Sequence, residues 1–164
     1  MLARRPYSLG EMRRALQTKF RDKQPVREAI ARLRELGYLD DRKFAEYYAS
    51  SLARRRGFGQ HRIRRELKAK LVDYRYIDPA LQQAFEETDE RELLERTLEK
   101  KIRSLRLPVT ASKLSSLCQS LMRRGFNAGD IMKAVRSRPE LKPVAEEIDA
   151  SDVAAEQARI LNGE

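Results

Sequence analysis

Apolar residues recur along this chain at spacings of three and four, and no stretch keeps the strict alternation of a strand. The first such run opens at Ser8. Ser8 and Glu11 have the spacing of a capping box, in which hydroxyl and carboxylate each satisfy a free amide at a helix start. Met12, Leu16 and Phe20 then share one face, while Arg13, Arg14 and Gln17 turn away. Pro25 suits a first helical turn, and Val26, Ala29, Ile30 and Leu33 form the next apolar stripe. Leu36-Gly37 ends it, with Gly37 available for the left-handed conformation that closes a helix. Asp40 or Asp41 caps a third helix carrying Phe44, Tyr48 and Leu52. Arg54, Arg55 and Arg56 fall in its last turn, where the macrodipole favours cations, and Gly57 stops it.

A second group follows the same plan. One helix carries Ile63, Leu67 and Leu71, and another carries Leu81 and Phe85, its start delayed about two residues by Asp78-Pro79. Asp89 and Glu92 open a third, expected from Asp89 to Leu105, with Leu94, Leu98, Ile102 and Leu105 inward; Pro108 closes the group. A third group has helices around Leu117/Leu121 and Ile131/Val135, after which Pro139 and Pro143 are expected to leave no equivalent third helix.

These groups are copies in register. Arg4-Arg5-Pro6-Tyr7-Ser8 is echoed by Arg55-Arg56-Gly57-Phe58-Gly59 at an offset of 51. The same offset carries Met12, Leu16, Lys19, Val26 and Ile30 onto Ile63, Leu67, Lys70, Ile77 and Leu81. A further shift of 54 carries the latter set onto Leu117, Leu121, Arg124, Ile131 and Val135. The expected fold is all-α: tandem three-helix repeats forming an elongated, curved helical array, each repeat burying its stripe against itself and its neighbours. The boundaries expected are 1–57 for repeat 1, 58–108 for repeat 2, 109–141 for an incomplete repeat 3, and 142–164 for an acidic C-terminal tail, mobile or weakly helical.

Composition sharpens this picture at two points. Seven Gly and six Pro in 164 residues are few, which favours long helices over a loop-rich β fold. The net charge is +10, but residues 142–164 hold two bases (Lys142, Arg159) and six acids (Glu146, Glu147, Asp149, Asp152, Glu156, Glu164), so the other 141 residues carry +14. Bases come in clusters rich in arginine, which suits phosphate or carboxylate partners. Arg13-Arg14 and Arg64-Arg65 occupy matching outward faces of the first two repeats; the third has Cys118-Gln119 there. Lys19, Lys70 and Arg124 are the basic position common to all three. The candidate partner- or nucleic-acid-binding residues are therefore Arg13, Arg14, Lys19, Arg64, Arg65, Lys68, Lys70, Arg123 and Arg124. An ordinary solvated helix face is the plain alternative for any one pair.

No catalytic constellation is found, and no cofactor or metal site is expected. Glycines sit singly at helix ends, not in a phosphate-binding loop. Asp40-Asp41 reads as a cap before it reads as a magnesium site. The single histidine, His61, lies among arginines with no acid to orient it, and the single cysteine, Cys118, shares an apolar helical face with Leu117 and Leu121. Tyr7 and Phe58, at matching positions, either stack on bases or pack as staples at helix starts. One cysteine excludes an intramolecular disulfide and suits a reducing compartment, and no apolar run is long enough to span a membrane. The chain is expected to be cytoplasmic and monomeric.

Gly37-Tyr38-Leu39-Asp40-Asp41 with Phe44-Ala45, then Arg56-Gly57-Phe58-Gly59, Ile63-x-x-Glu66-Leu67 and Arg124-Gly125-Phe126, resemble the RecX family, bacterial regulators of the RecA recombinase. The resemblance runs from about Tyr7 to Val135. It implies tandem three-helix repeats and a non-enzymatic role in DNA repair, homologous recombination and the SOS response. It also implies binding in the groove of the RecA filament on single-stranded DNA, with restraint of ATP hydrolysis, co-protease activity and strand exchange. Direct contact with single- or double-stranded DNA is the further partner it implies. The family places another helix ahead of the Arg4-Arg5 segment, so the resemblance implies either a shortened start or a repeat 1 without its first helix. The segment from Asp73 to Asp78, with Tyr74 and Tyr76, departs from the small or polar residues usual there.

Overall fold

The computed structural model describes residues 6–105, 108–148 and 150–163. Arg4, Arg5, Asp149 and Glu164, which enter the repeat and charge patterns above, lie outside the described residues. The described residues form ten α-helices and no strand: α1 (Leu9–Lys19), α2 (Lys23–Glu35), α3 (Asp41–Ser51), α4 (Gln60–Ala69), α5 (Ile77–Glu87), α6 (Glu90–Arg103), α7 (Ala111–Arg123), α8 (Ala128–Arg136), α9 (Lys142–Glu146) and α10 (Ala150–Asn162). The all-α class read from the periodicity is the one observed. The chain divides into two compact units, one of residues 1–52 and 64–86, the other of residues 53–63 and 87–164.

In the first unit the caps of α1 and α3 fall where the polar punctuation placed them, and Asp22, unmarked in the sequence, supplies that of α2. Ser8 and Glu11 close both halves of the capping box on α1, Asp22 caps α2, and Asp40 caps α3 through the amide of Lys43. Met12, Val26, Ile30 and Leu39 form a buried core, with Tyr7, Leu9, Leu16 and Leu33 packed against it. Tyr7 thus acts as a staple at the entry to α1. α2 ends at Leu36, and Gly37 adopts φ +73°, so that the Tyr38 amide can reach back to the carbonyl of Leu33 at 2.9 Å. That closure turns the chain into the extended stretch leading to α3.

In the second unit α6, α7 and α8 pack on one another, burying Leu94, Leu98, Leu114, Leu121, Ile131 and Val135. Cys118 is buried on α7 as expected. The widened π-helical turn Leu52–Arg56 carries the three arginines outward, and Phe58 lies under the guanidinium of Arg62, 5.4 Å from the ring centre. Phe58 therefore has a neighbour within its own unit.

Three expectations for these helices are corrected. Phe20 is not on the buried face: α1 ends at Lys19, the backbone at Phe20 is extended, and its side chain is 57% exposed. Ala29 is exposed on α2. Leu71 has left α4 and sits at φ +56°, turned to solvent. The delay expected at Asp78-Pro79 is present: the offset of 51 carries the start of α2 to position 74, whereas α5 starts at Ile77, with Pro79 in its first turn, where a missing amide costs no hydrogen bond.

The largest difference lies at the C-terminus: only the short α9 follows Pro139, in keeping with the expected lack of an equivalent third helix, but the tail expected to be mobile or weakly helical forms a packed helix. Pro143 sits in the first turn of short α9, and the acidic stretch forms α10, which packs on α7 and α8. Val153 and Ile160, seven residues apart, are its buried face. The side-chain oxygen of Gln157 accepts from the amide of Ala128 at 2.9 Å, and its nitrogen donates to the carbonyl of Phe126 at 3.3 Å. Two apolar contacts and one amide at helical spacing fix a segment whose composition alone reads as solvent-facing.

Candidate interaction surface

The nine basic residues singled out by the repeat pattern divide by what their side chains touch. Arg13 and Arg14 project from the exposed face of α1, and Lys19 from its last turn. Lys68 on α4 and Arg123 on α7 are likewise exposed. None of these five has an ion-pair partner among the described residues.

The others are engaged. Arg64 pairs with Asp78, and Arg65 is half-buried beside it on α4. Lys70 donates to Glu11 at 3.1 Å and stands 5.9 Å from the ring centre of Tyr48, while its carbonyl accepts from the Ser8 hydroxyl. Arg124 donates to the carbonyls of Arg56 at 3.0 Å and Gly57 at 3.4 Å. Arg13-Arg14 and Arg64-Arg65 are thus equivalent in sequence and unlike in setting. The acid at position 78, just after the turn that follows α4, makes the difference.

A second feature of the first unit went unmarked as a site in the sequence. A cleft of about 820 Å³ is lined by residues from α1, the end of α2, the Gly37–Asp41 stretch and the 71–76 turn. It brings Arg13, Arg34 and Arg75 together with Glu35, Asp40, Asp41 and Asp73, over a floor that includes Leu9, Leu39, Leu71 and Tyr76. The acids have partners: Asp41 accepts from the Leu9 amide at 2.7 Å, Asp40 caps α3, Glu35 pairs with Arg32, and Asp73 pairs with Arg75 at 3.2 Å. Arg75 also lies 5.0 Å from the ring centre of Tyr76. Arg13 and Arg34 have no ion-pair partner among the described residues. The Tyr-rich turn and the Gly-Tyr-Leu-Asp-Asp stretch were the available signals, and only their meeting in space makes them one feature.

Two groups of the second unit titrate abnormally. Burial raises Glu90 above the usual carboxylate range and the nearby charge of Asp130 adds to it, against the lowering effect of the Gln60 amide that donates to its Oε1 at 2.8 Å. Burial pushes the Cys118 thiol up to about 11, which keeps it protonated and poorly nucleophilic. No group of His, Cys, Asp and Glu suited to a metal ion occurs among the described residues, and no helix there is long and apolar enough to cross a membrane.

The fold and this surface define an all-helical repeat protein with a charged, cleft-bearing first unit. Residues 40–81 match the family described as RecX, second three-helix domain. That match takes in α3, α4 and the start of α5, a frame that begins one helix earlier than position 58. The chain is 35% identical over 137 residues to the regulatory protein RecX of Chlorobaculum tepidum, across 83% of this chain and 82% of that protein. It is 31% identical over 131 residues to the regulatory protein RecX of Haemophilus influenzae, across 79% and 84% of the two. With the regulatory protein RecX of Oceanobacillus iheyensis it shares 30% identity over 135 residues, which is 82% of this chain and 49% of that one. No solved structure matches it. The chain belongs to the RecX family of regulatory proteins.

Proposed function

We propose that this protein regulates the RecA recombinase, mainly as an inhibitor, in the bacterial cytoplasm. It binds in the groove of the RecA filament on single-stranded DNA and restrains ATP hydrolysis, co-protease activity and strand exchange by holding neighbouring protomers in a fixed relation. The observation that carries the reading is family membership, 35% identity over most of both chains to a protein named as regulatory. RecA as the target is what the family resemblance implies. The exposed bases Arg13, Arg14, Lys19 and Lys68 of the first unit, and Arg123 of the second, add positive charge suited to a polyanionic assembly.

The experiment is RecA-dependent ATP hydrolysis on single-stranded DNA with this protein titrated from substoichiometric to equimolar amounts. Inhibition well below one molecule per RecA supports a bridging regulator. Absence of any effect at equimolar protein overturns the reading.

The same five exposed bases favour a second reading, direct binding of nucleic acid by the helical repeats. Its signature is an affinity for bare single-stranded DNA that falls steeply with salt, by ~0.7 in the log–log slope for each phosphate neutralised. An affinity for the RecA–DNA filament that exceeds that for bare DNA at matched salt separates the first reading from the second.

A further inference from the structure

Each unit contains a place where the end of one helix meets the start of another, and the two places differ in charge. In the first unit the end of α4 meets the start of α1, and Lys70 pairs there with the half-buried Glu11 at 3.1 Å, so base and acid cancel. The offset of 51 that carries Met12 onto Ile63 carries Glu11 onto Arg62, and the further shift of 54 carries Lys70 onto Arg124. Where the end of α7 meets the start of α4, both positions are therefore guanidinium groups. The two chains touch there: a Cβ on Gly125, the residue after Arg124, would lie 2.5 Å from the Cβ of Arg62. Glu90, the acid at the same junction, already accepts from the Gln60 amide at 2.8 Å.

Further cations surround this pair. The π-helical turn Leu52–Arg56, a rare element that recurs at functional sites, leaves Arg55 and Arg56 exposed. Arg124 donates to the carbonyls of Arg56 and Gly57 at 3.0 and 3.4 Å, which ties the end of α7 to that turn. Those carbonyls are the negative end of a helix, and the guanidinium that covers them removes their repulsion toward an anion. Arg123 is exposed beside it. Arg54 is neutralised by Glu87 at 3.3 Å, whereas Arg55, Arg56 and Arg123 have no ion-pair partner among the described residues.

Clustered guanidinium groups suit carboxylate and phosphate alike, and the surroundings separate the two. A protein anchor point buries large apolar side chains at its centre. The large apolar side chains most exposed among the described residues all belong to the first unit, Leu161 apart, and Phe58 is half-buried beneath Arg62. A phosphodiester chain needs no such anchor; it needs cations spaced along it, from which its binding releases counterions.

We propose that the arginine cluster at this junction of the second unit, Arg55, Arg56, Arg123 and Arg124 with Arg62 beside them, is a binding site for the phosphodiester backbone of nucleic acid. Arg55, Arg56 and Arg123 meet phosphates directly. Arg124, held by the two carbonyls, keeps the π-helical turn and the end of α7 together and offers its remaining N–H groups to the same backbone. The inference rests on the reading of direct nucleic-acid binding and deepens it, by giving that binding a seat in the second unit.

The test is the affinity of the full chain for a fluorescent single-stranded oligothymidylate across a salt series, with a thermal melt of every variant. Arg55→Glu with Arg56→Glu is expected to melt near wild type and to lose at least tenfold in affinity. Its salt slope should flatten by ~0.7 for each phosphate no longer neutralised. Arg136→Glu with Lys142→Glu makes the same change of net charge on exposed bases of the same unit outside the cluster, and should lose less than threefold. Equal losses in the two would mean that net charge alone is felt and would overturn the proposal. Should the first variant melt early, Arg55→Gln with Arg123→Gln replaces it: a loss of at least threefold is expected, and unchanged affinity overturns the proposal. Poly-L-glutamate added at equal charge is expected to leave the oligonucleotide bound; its displacement would assign the cluster to an acidic protein segment instead. Wild-type protein without affinity for the oligonucleotide overturns the nucleic-acid reading and this proposal together, whereas wild-type affinity that survives the substitutions overturns the proposal alone.

Discussion

Gly59 and Arg124 are joined backbone to backbone, the Gly59 amide donating to the Arg124 carbonyl at 2.9 Å. The residue two further on repeats the pairing, His61 donating to the Gly125 carbonyl at 3.1 Å. In the first unit the sequence-equivalent pair is Ser8 and Lys70, where the Ser8 hydroxyl donates to the Lys70 carbonyl. In both joints the base turns its side chain back to the start of the partner helix: Lys70 to Glu11 of α1, Arg124 to the carbonyls just ahead of α4. The basic position shared by the repeats is thus a joint at Lys70 and Arg124, and a free surface charge only at Lys19.

The second joint depends on glycine at both sides. Gly125 has φ +97°, and a Cβ there would lie 2.3 Å from the amide nitrogen of Arg62. Gly125→Ala therefore combines an unfavourable left-handed backbone with a clash against main chain, which has no flexible end to move. A loss of roughly 1–3 kcal/mol or more is expected in urea denaturation followed by circular dichroism. A midpoint equal to wild type would show that the joint yields easily.

How much of this was legible follows from the range of the forces involved. Caps and stripes are local, so Ser8, Glu11, Asp40 and Asp89 marked helix starts correctly and Met12, Ile30, Ile63 and Leu121 read as core. The joints were visible only as a repeated base, because nothing local tells a lysine whether its partner is water or Glu11. Arg64 shows the same limit, since its partner Asp78 lies fourteen residues away. The stretch that forms α10 read only as mobile or weakly helical because its stability comes from packing on α7 and α8 and not from its own sparse apolar content.

Charge reversal separates surface from scaffold. Arg13→Glu with Arg14→Glu changes exposed groups without ion pairs, so the melting temperature is expected to stay near wild type. Affinity for single-stranded DNA should fall, and its salt slope should flatten by ~0.7 for each phosphate the variant no longer neutralises. Arg64→Glu with Arg65→Glu instead places like charge beside Asp78 on a half-buried face, so it should lower the melting temperature as well. Equal melting temperatures for the two double variants would mean that the Arg64–Asp78 pair contributes nothing measurable.

Leu67 is fully buried on α4, and its truncation leaves a cavity that surrounding helices fill only in part. Leu67→Ala is expected to cost about 2–5 kcal/mol by chemical denaturation. A variant that unfolds at the wild-type midpoint would place Leu67 outside the core.

Cys118 offers a direct probe of the second unit. With 1% exposure and a thiol pushed up to about 11, it should react with an aromatic disulfide reagent far more slowly in the folded protein than in denaturant at the same neutral pH. Labelling at equal rates in the two conditions would show that the packing of α10 and α9 on α7 opens readily.

Glu90 makes stability depend on pH in a particular direction. Its folded-state value is raised, chiefly by burial, so the folded protein holds the proton more tightly than the unfolded chain does. The stability this provides is full below the ordinary carboxylate value and is lost as pH rises through the raised folded one. Glu90→Gln removes the titration while keeping an oxygen that can accept from the Gln60 amide, a bond now 2.8 Å long. The variant should therefore melt higher than wild type near neutral pH, and the gap should close as pH falls through the titration of Glu90. Thermal melts of both proteins across that range decide the matter: a gap of constant size would assign the effect to packing, and a gap that widens in acid would mean that the ionised carboxylate at the start of α4 is the stabilising form.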